Sequence, residues 1–460
     1  MAKNPLITEG AETELRAYET QLEFSGEKGH AVIVEGDWPW RFVFWDKAQY
    51  VGCVDVGKGV WFTSEWCETN SPNDLHCYEP IMDKQLRWSR VQILETGPAR
   101  ARVKWTYTLP DMRYRIFHGN TRAEEIYTIY PDGVAVREVV LWPGTENNHG
   151  GNANLWQMAE WILINSAGTS PLDFLQMPTP FTLRNGKGAQ IDVPWPLPAN
   201  DFEPFCDHYP ELADWPMYIG KINLEGVPNP FIIICKDQRL FPFMPCNACK
   251  KNHPYFNMFP GKDFYNIYKH WPVTDMEDFI QWVPAGDDIG KVATHTSFMD
   301  VNFALRRSSD DYIPTPDQGA TWYLLVGATS QGTDGSELEA IAHSYYQPAR
   351  VEIERDPGEP EELHRGRVLL EGYDYALRAY TFRKQGKDEV KLTLKPSVTQ
   401  VNPVFLINGW NAPQVVVKVD DKTLREEDFR FQVSGHDLVV WVKGEFSEPA
   451  RFAFLAKTGK

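Results

Sequence analysis

No apolar run long enough for a membrane-crossing helix occurs in this chain. The motifs that announce several chemistries are missing too. There is no Gly-x-Gly-x-x-Gly and no phosphate loop, which argues against the usual nucleotide-binding folds. There is no His-Glu-x-x-His and no Gly-x-Ser-x-Gly, the marks of zinc peptidases and serine hydrolases. No internal repeat or low-complexity tract is found, so solenoids and disordered tails are not indicated. Basic residues are in deficit, with 46 Lys and Arg against 63 Asp and Glu and a net charge of −17. That balance disfavours nucleic acid and anionic membranes as partners, although a local basic patch can still hold an anionic polymer. Cysteines number seven, and an odd count argues against a pure disulfide framework. A reducing compartment with one metal site fits better. The opening MAKNPLITEG lacks an apolar signal core. The expectation is a cytoplasmic protein if that start is native, and a periplasmic or secreted one if a leader preceded it.

What is present is a long chain rich in rings. At 460 residues it exceeds the usual single-core size, and phenylalanine, tryptophan and tyrosine make up 13% of it. From Thr13 to about Asn165 the pattern is strand after strand. Ala101 to Leu109 alternates strictly between apolar and polar, the period of a half-buried antiparallel strand. Glu124 to Tyr130 and Val134 to Trp142 flank Pro131-Asp132-Gly133, a hairpin signature. Ser336-Glu337-Leu338-Glu339 reads as a capping box opening a short helix that Pro348 stops. Beyond Val351, short strands at regular spacing suit a β-sandwich. The spacing predicts an all-β protein: residues 1–350 as a large antiparallel sheet domain with long aromatic loops, and 351–460 as a C-terminal β-sandwich.

Between Ser166 and about Gly290 prolines and aromatics dominate, and proline cannot sit in central strands. A long irregular stretch in a compact protein is usually functional. Cys246, Cys249 and His253 have metal-ligand spacing, and Cys206 with His208 forms a second pair upstream. Together they admit a closed, structural zinc site, with no cofactor required for chemistry. The alternatives are separately buried residues or a disulfide. Among the histidines, His149, His208 and His270 sit beside asparagine, tyrosine or tryptophan, and histidine moves protons near neutral pH. Tyr209, Tyr255 and Tyr265 are their partner candidates. Arg137 lies mid-strand, so it is either paired with a carboxylate or exposed on an open sheet face. Glycoside hydrolysis would need a carboxylate pair, for which Glu65, Glu160 and Asp275 are the first candidates.

A large sheet domain, aromatic loops and a C-terminal sandwich together resemble the galactose-mutarotase-like supersandwich enzymes, which include polysaccharide lyases and glycoside hydrolases. The segments EEIYTIYPDGVAVREVVLW and YNIYKHWPVTD carry that resemblance. It implies cleavage of a polysaccharide or oligosaccharide, by β-elimination on a uronate-containing glycan. Tyr265 or Tyr209 would be the base, and His270 and His208 proton handlers. Asn148, His149 or Arg137 would meet the uronate carboxylate, with Trp156, Trp271 and Trp282 as stacking platforms and Tyr255 beside them. A hydrolase with a carboxylate pair is the alternative, and a non-catalytic glycan-binding protein the second.

Overall fold

The computed structural model describes residues 14–64, 67–70, 77–111, 113–144, 155–158, 161–169, 171–194, 215–235, 244–245, 265–268, 271–272, 293–297, 299–304, 319–333, 335–354 and 368–457. The protein is all-β. An eight-stranded sheet runs in the order β1 (Arg16–Phe24), β2 (Glu27–Glu35), β3 (Arg41–Trp45), β4 (Gly52–Gly57), β5 (Val60–Thr63), β13 (Ile162–Asn165), β20 (Thr294–Ser297) and β19 (Tyr265–Tyr268). A nine-stranded sheet runs β15 (Gln190–Val193), β14 (Phe181–Arg184), β16 (Met217–Ile222), β17 (Asn229–Cys235), β22 (Ala320–Thr329), β11 (Ala135–Trp142), β10 (Arg122–Ile129), β9 (Ala101–Thr108) and β8 (Arg90–Glu95). Three short strands, β12 (Leu155–Met158), β21 (Met299–Ala304) and β18 (Met244–Pro245), form a third sheet, and β6 (Thr69–Asn70) pairs with β7 (Cys77–Tyr78).

The alternation read from the sequence sets the packing. In β9, Ala101, Val103, Trp105 and Tyr107 are buried, while Arg102, Lys104, Thr106 and Thr108 are half-buried on the other face. The hairpin around Pro131-Asp132-Gly133 forms as expected, with Ile129 opposite Ala135 and Arg122 opposite Trp142. Inward-facing residues of both large sheets share one apolar core, in which Trp45, Trp61, Trp105 and Trp161 are fully buried. Aromatic area of this kind is the main stabilising term for so wide a sandwich. Gly220 on β16 leaves room for Trp161 from the facing sheet: a Cβ there would lie 1.9 Å from the indole.

A helix, α1 (Ser336–Tyr346), lies on the outer face of the nine-stranded sheet through Leu338, Ala342 and Tyr345. The expected capping box is not made. Gly335 is the N-cap, Ser336 is already helical, and Glu339 is turned away to pair with Arg184 at 2.8 Å.

Strands from Arg350 onward form two five-stranded sheets that face each other across a second core, with Phe382, Phe405, Trp410 and Phe452 inside, and one short separate pair, Gln400–Val401 with Glu445–Phe446. This sandwich is fixed to the first by a joint with its own apolar centre, formed by Ala99, Tyr130, Ala379, Leu406 and Trp441. Around it, Asp132 accepts hydrogen bonds from Arg378 (2.7 Å) and Asn402 (3.1 Å). Gln432 accepts from the backbone N–H of Ala99 and Arg100. A cleft of about 1150 Å³ runs along this joint, lined in part by Trp38, Asp132, Asn402 and Trp441.

Gly220→Ala is expected to force Trp161 out of its place and to cost about 1–3 kcal/mol, as overpacking does. Chemical denaturation checks it; an unchanged midpoint would show that the two sheets part there at little cost.

Candidate active site at the loop end of the sandwich

The strand ends divide the large sandwich into two unlike ends. At one end lie the tight turns Ser25–Gly26, Lys58–Gly59, Pro131–Gly133 and the bend through Gly226, and the C-terminal sandwich docks there through Asp132. The two sheets agree on this end, since Gly226 of one lies against the Lys58 ammonium of the other. At the opposite end the connections are long. Residues 64–79 leave β5, residues 109–121 join β9 to β10, residues 143–154 leave β11, and residues 236–243 leave β17.

At this loop end four neighbouring strands line up in one row. Thr63 of β5 pairs with Ile162 of β13, Ile162 with Ser297 of β20, and Ser297 with Tyr265 of β19. The row spans roughly 14 Å at ordinary strand spacing. The pair β13–β20 continues in the same register into β12–β21, with Met158 opposite Val301 and Ile162 opposite Ser297. Trp156 lies on β12 of that second pair. On its other side β18 pairs with Met299 and Asp300, and β19 with Ser297. The strands on either side of residues 246–264 thus pair with residues two apart in sequence, Met299 and Ser297. The hairpin β6–β7 packs next to β12.

Beneath this row sits a buried polar clamp. Arg137 donates to both carboxylate oxygens of Glu125, at 2.7 and 2.8 Å, and to the carbonyl and hydroxyl oxygens of Ser64, at 2.5 and 2.8 Å. Tyr107 and Tyr127 donate to the same carboxylate at 2.8 and 3.1 Å. The Tyr107 oxygen in turn accepts the N–H of Cys67 at 3.0 Å. Burial pulls the Arg137 guanidinium down, but Glu125 and the tyrosines more than offset it, so it stays charged. Burial pushes both tyrosines well above their ordinary range, and the Cys67 thiol up to about 12. This is the chemistry of a rigid anchor. It fixes Ser64, which precedes Glu65, and Cys67, two residues after it.

Two site expectations are corrected by this geometry. Arg137 is 1% exposed and wholly engaged by protein groups, so it is a clamp and not a surface that meets a substrate carboxylate. Of the two alternatives read from the sequence, the paired one holds. Trp271 is 0% exposed and belongs to the core, with its carbonyl accepting from His295 Nδ1 at 2.6 Å. It has no free face for a sugar ring. Cys67 is a free, buried thiol. Tyr265 and Trp156 are placed by their strands, as above. His149, Asn148, His208, Tyr209, His270, Tyr255, Trp282, Glu65, Glu160 and Asp275 lie outside the described residues. So do all four expected zinc ligands, Cys206, Cys246, Cys249 and His253, and the described residues contain no metal-binding cluster. Connectivity still sorts these candidates. Asn148, His149, Glu65, Glu160 and Tyr255 fall in segments attached at the loop end, whereas His270, Asp275 and Trp282 follow the far end of β19.

Sequence reasoning missed Glu125, because a glutamate in an alternating strand reads as an outward residue. It also missed Lys84, a half-buried residue of the loop before β8.

No family model and no curated protein matches the chain. Among solved structures it is similar to a galactose 1-epimerase from Lactobacillus acidophilus NCFM, with a TM-score of 0.28 and 9% identity, covering 68% of this chain and 98% of that one. So slight a likeness carries no argument.

Removing one partner of the clamp strands a buried charge. Glu125→Gln and Arg137→Met are each expected to cost about 3–5 kcal/mol. The double variant Glu125→Leu with Arg137→Met should recover much of that loss in urea denaturation; an additive loss would contradict the clamp. Burial pulls the Lys84 ammonium down to about 7, while Glu79 works the other way. Below pH 7 both states hold the proton, and folding bears the full cost of enclosing it. Between about 7 and the unfolded value of 10.5 the unfolded chain binds more protons, so this group's contribution to stability rises with pH. Lys84→Met is expected to lose that rise in thermal melts across the window; a difference from wild type independent of pH would contradict it.

Proposed function

We propose that the protein is a carbohydrate-active enzyme that cleaves a uronate-containing glycan by β-elimination at the loop end of the large sandwich. The observation that supports this reading is the shared row Thr63–Ile162–Ser297–Tyr265, which puts the strand position of the candidate base Tyr265 at the loop end. In this reading Tyr265 takes the proton from the carbon beside the uronate carboxylate. The bond to the leaving glycosidic oxygen breaks, a carbon–carbon double bond forms, and the leaving oxygen is protonated by a histidine, with His149 and His208 the candidates. Asn148 or His149 neutralises the carboxylate, a role from which Arg137 is now removed. Such a step needs positioned acid–base groups and charge neutralisation. It requires no cofactor from these residues.

A second reading has its own support. Thr63 and Ile162 are direct strand partners, and Glu65 and Glu160 each lie two residues beyond them. Glycoside hydrolysis needs a pair of carboxylates, and these two adjoin paired strands in the sequence.

Incubation with polygalacturonate, alginate and xylan distinguishes the two. β-Elimination gives growing ultraviolet absorbance from unsaturated uronate ends, and Tyr265→Phe should abolish it while leaving the melting temperature unchanged. New reducing ends without absorbance, lost in Glu65→Gln or Glu160→Gln, would move the assignment to hydrolysis. Neither product, with binding retained, would reduce the protein to a glycan-binding one.

A further inference from the structure

The chain carries a net charge of −17, yet between Lys84 and Arg122 it has nine Lys and Arg against two acidic residues, Glu95 and Asp111. The fold turns part of that imbalance outward at the loop end. Arg90 pairs with Thr106 of β9, and Arg122 with Thr108 of the same strand from its other side. Strand partners share a face, so Arg90, Lys104 and Arg122 surround the outer face of β9, with Arg90 and Arg122 roughly 12 Å apart. Beyond the strand ends the patch continues. Arg87 lies over the Tyr114 ring at 4.1 Å, Tyr114 packs on Trp88 at 5.7 Å, and Arg122 lies over Trp142 at 4.2 Å. Arg87, Arg90, Arg113 and Arg122 are exposed.

The carboxylates within this stretch of chain are engaged elsewhere. Asp83 is buried and accepts the backbone N–H groups of Arg87, Trp88 and Ser89, each at 2.8 Å. Asp111 is buried and accepts those of Arg113 and Arg115 along with the Arg115 guanidinium. Glu95 pairs with Arg100 at the other end of β8. On the face itself Glu124 stands 4.0 Å from Lys104, too far for a strong pair. The loops are thus built around their acids and present their guanidinium groups. Among the described residues Arg87, Arg90 and Arg122 have no carboxylate partner; they hold Gln85, backbone carbonyls and rings.

We propose that the outer face of β8–β10 and the two loops beside it form a docking surface for a polyanionic glycan. The anchored guanidinium groups have the fork geometry that carboxylate and sulfate accept. The surface lies at the end of the sandwich where the glycan would be cut, so the inference deepens the carbohydrate reading and rests on it for glycan over nucleic acid. Tyr114 and Trp142 each already carry a guanidinium group over one face, which leaves less ring area for base stacking, and the overall acidity repels a polyphosphate approaching anywhere else.

Affinity for immobilised polygalacturonate and heparin, with dextran and single-stranded DNA as controls, is measured over a range of salt. Wild type is expected to bind at least one of the two anionic glycans and not dextran, more weakly as salt rises. Arg87→Ser, Arg90→Ser and Arg122→Ser combined should weaken it at least ten-fold and flatten the salt slope by roughly 2, at an unchanged melting temperature. Retention on heparin alone identifies sulfate as the recognised group, and on polygalacturonate alone carboxylate. Equal binding to dextran, tighter binding to DNA, no binding to either glycan, or an unaltered affinity in the triple variant would overturn the proposal. Because the readout is binding, it stands or falls apart from turnover: cleavage that ignores the triple variant overturns the docking surface and spares the enzyme.

Discussion

The buried pair of Arg137 and Glu125 is the interaction on which the working end of this molecule depends. An ion pair inside an apolar sandwich is costly unless every donor is met. Here the guanidinium is met by both oxygens of Glu125 and by Ser64, and the carboxylate by two tyrosines. The clamp joins the two large sheets at one place and in one register. It also sets the first residues of the long connection that leaves β5. Apolar packing alone would hold the sheets together but would not specify where that connection starts.

Given this anchor, the two ends of the sandwich take different tasks. The turn end has short, tight hairpins and is closed by the C-terminal sandwich through Asp132, Arg378 and Gln432. The cleft along that joint is sizeable, yet the Asp132 carboxylate on its wall is already held by Arg378 and Asn402. The loop end keeps the long connections, the aligned strand row and the exposed arginines. A rigid double sandwich presenting its loops at one end is a familiar way to hold a site steady.

Much of the fold was legible. β9 and the β10–β11 hairpin follow from strict alternation and a Pro-Asp-Gly turn, and the C-terminal strands from regular spacing. The helix was legible too, but its cap was not: Glu339 finds Arg184, a partner 155 residues away in sequence that no local pattern announces. The site was legible only in part. Histidine and tyrosine positions can be read, but burial cannot, and it is burial that removes Arg137 and Trp271 from contact with a ligand. Glu125 looked like a surface residue because its partner lies on the next strand. The arginine patch left a signal, a basic window in an acidic chain, but its meaning depends on Asp83 and Asp111 turning inward, which only the folded loops reveal.

The central claim is that the loop end, and not the joint with the C-terminal sandwich, meets the glycan. Amide hydrogen exchange with and without a bound anionic glycan tests it most directly. Slower exchange in the segments 60–64, 84–90, 109–122 and 162–165 is the predicted result. Protection confined to the strands and turns around Trp38, Asp132 and Trp441 would contradict it.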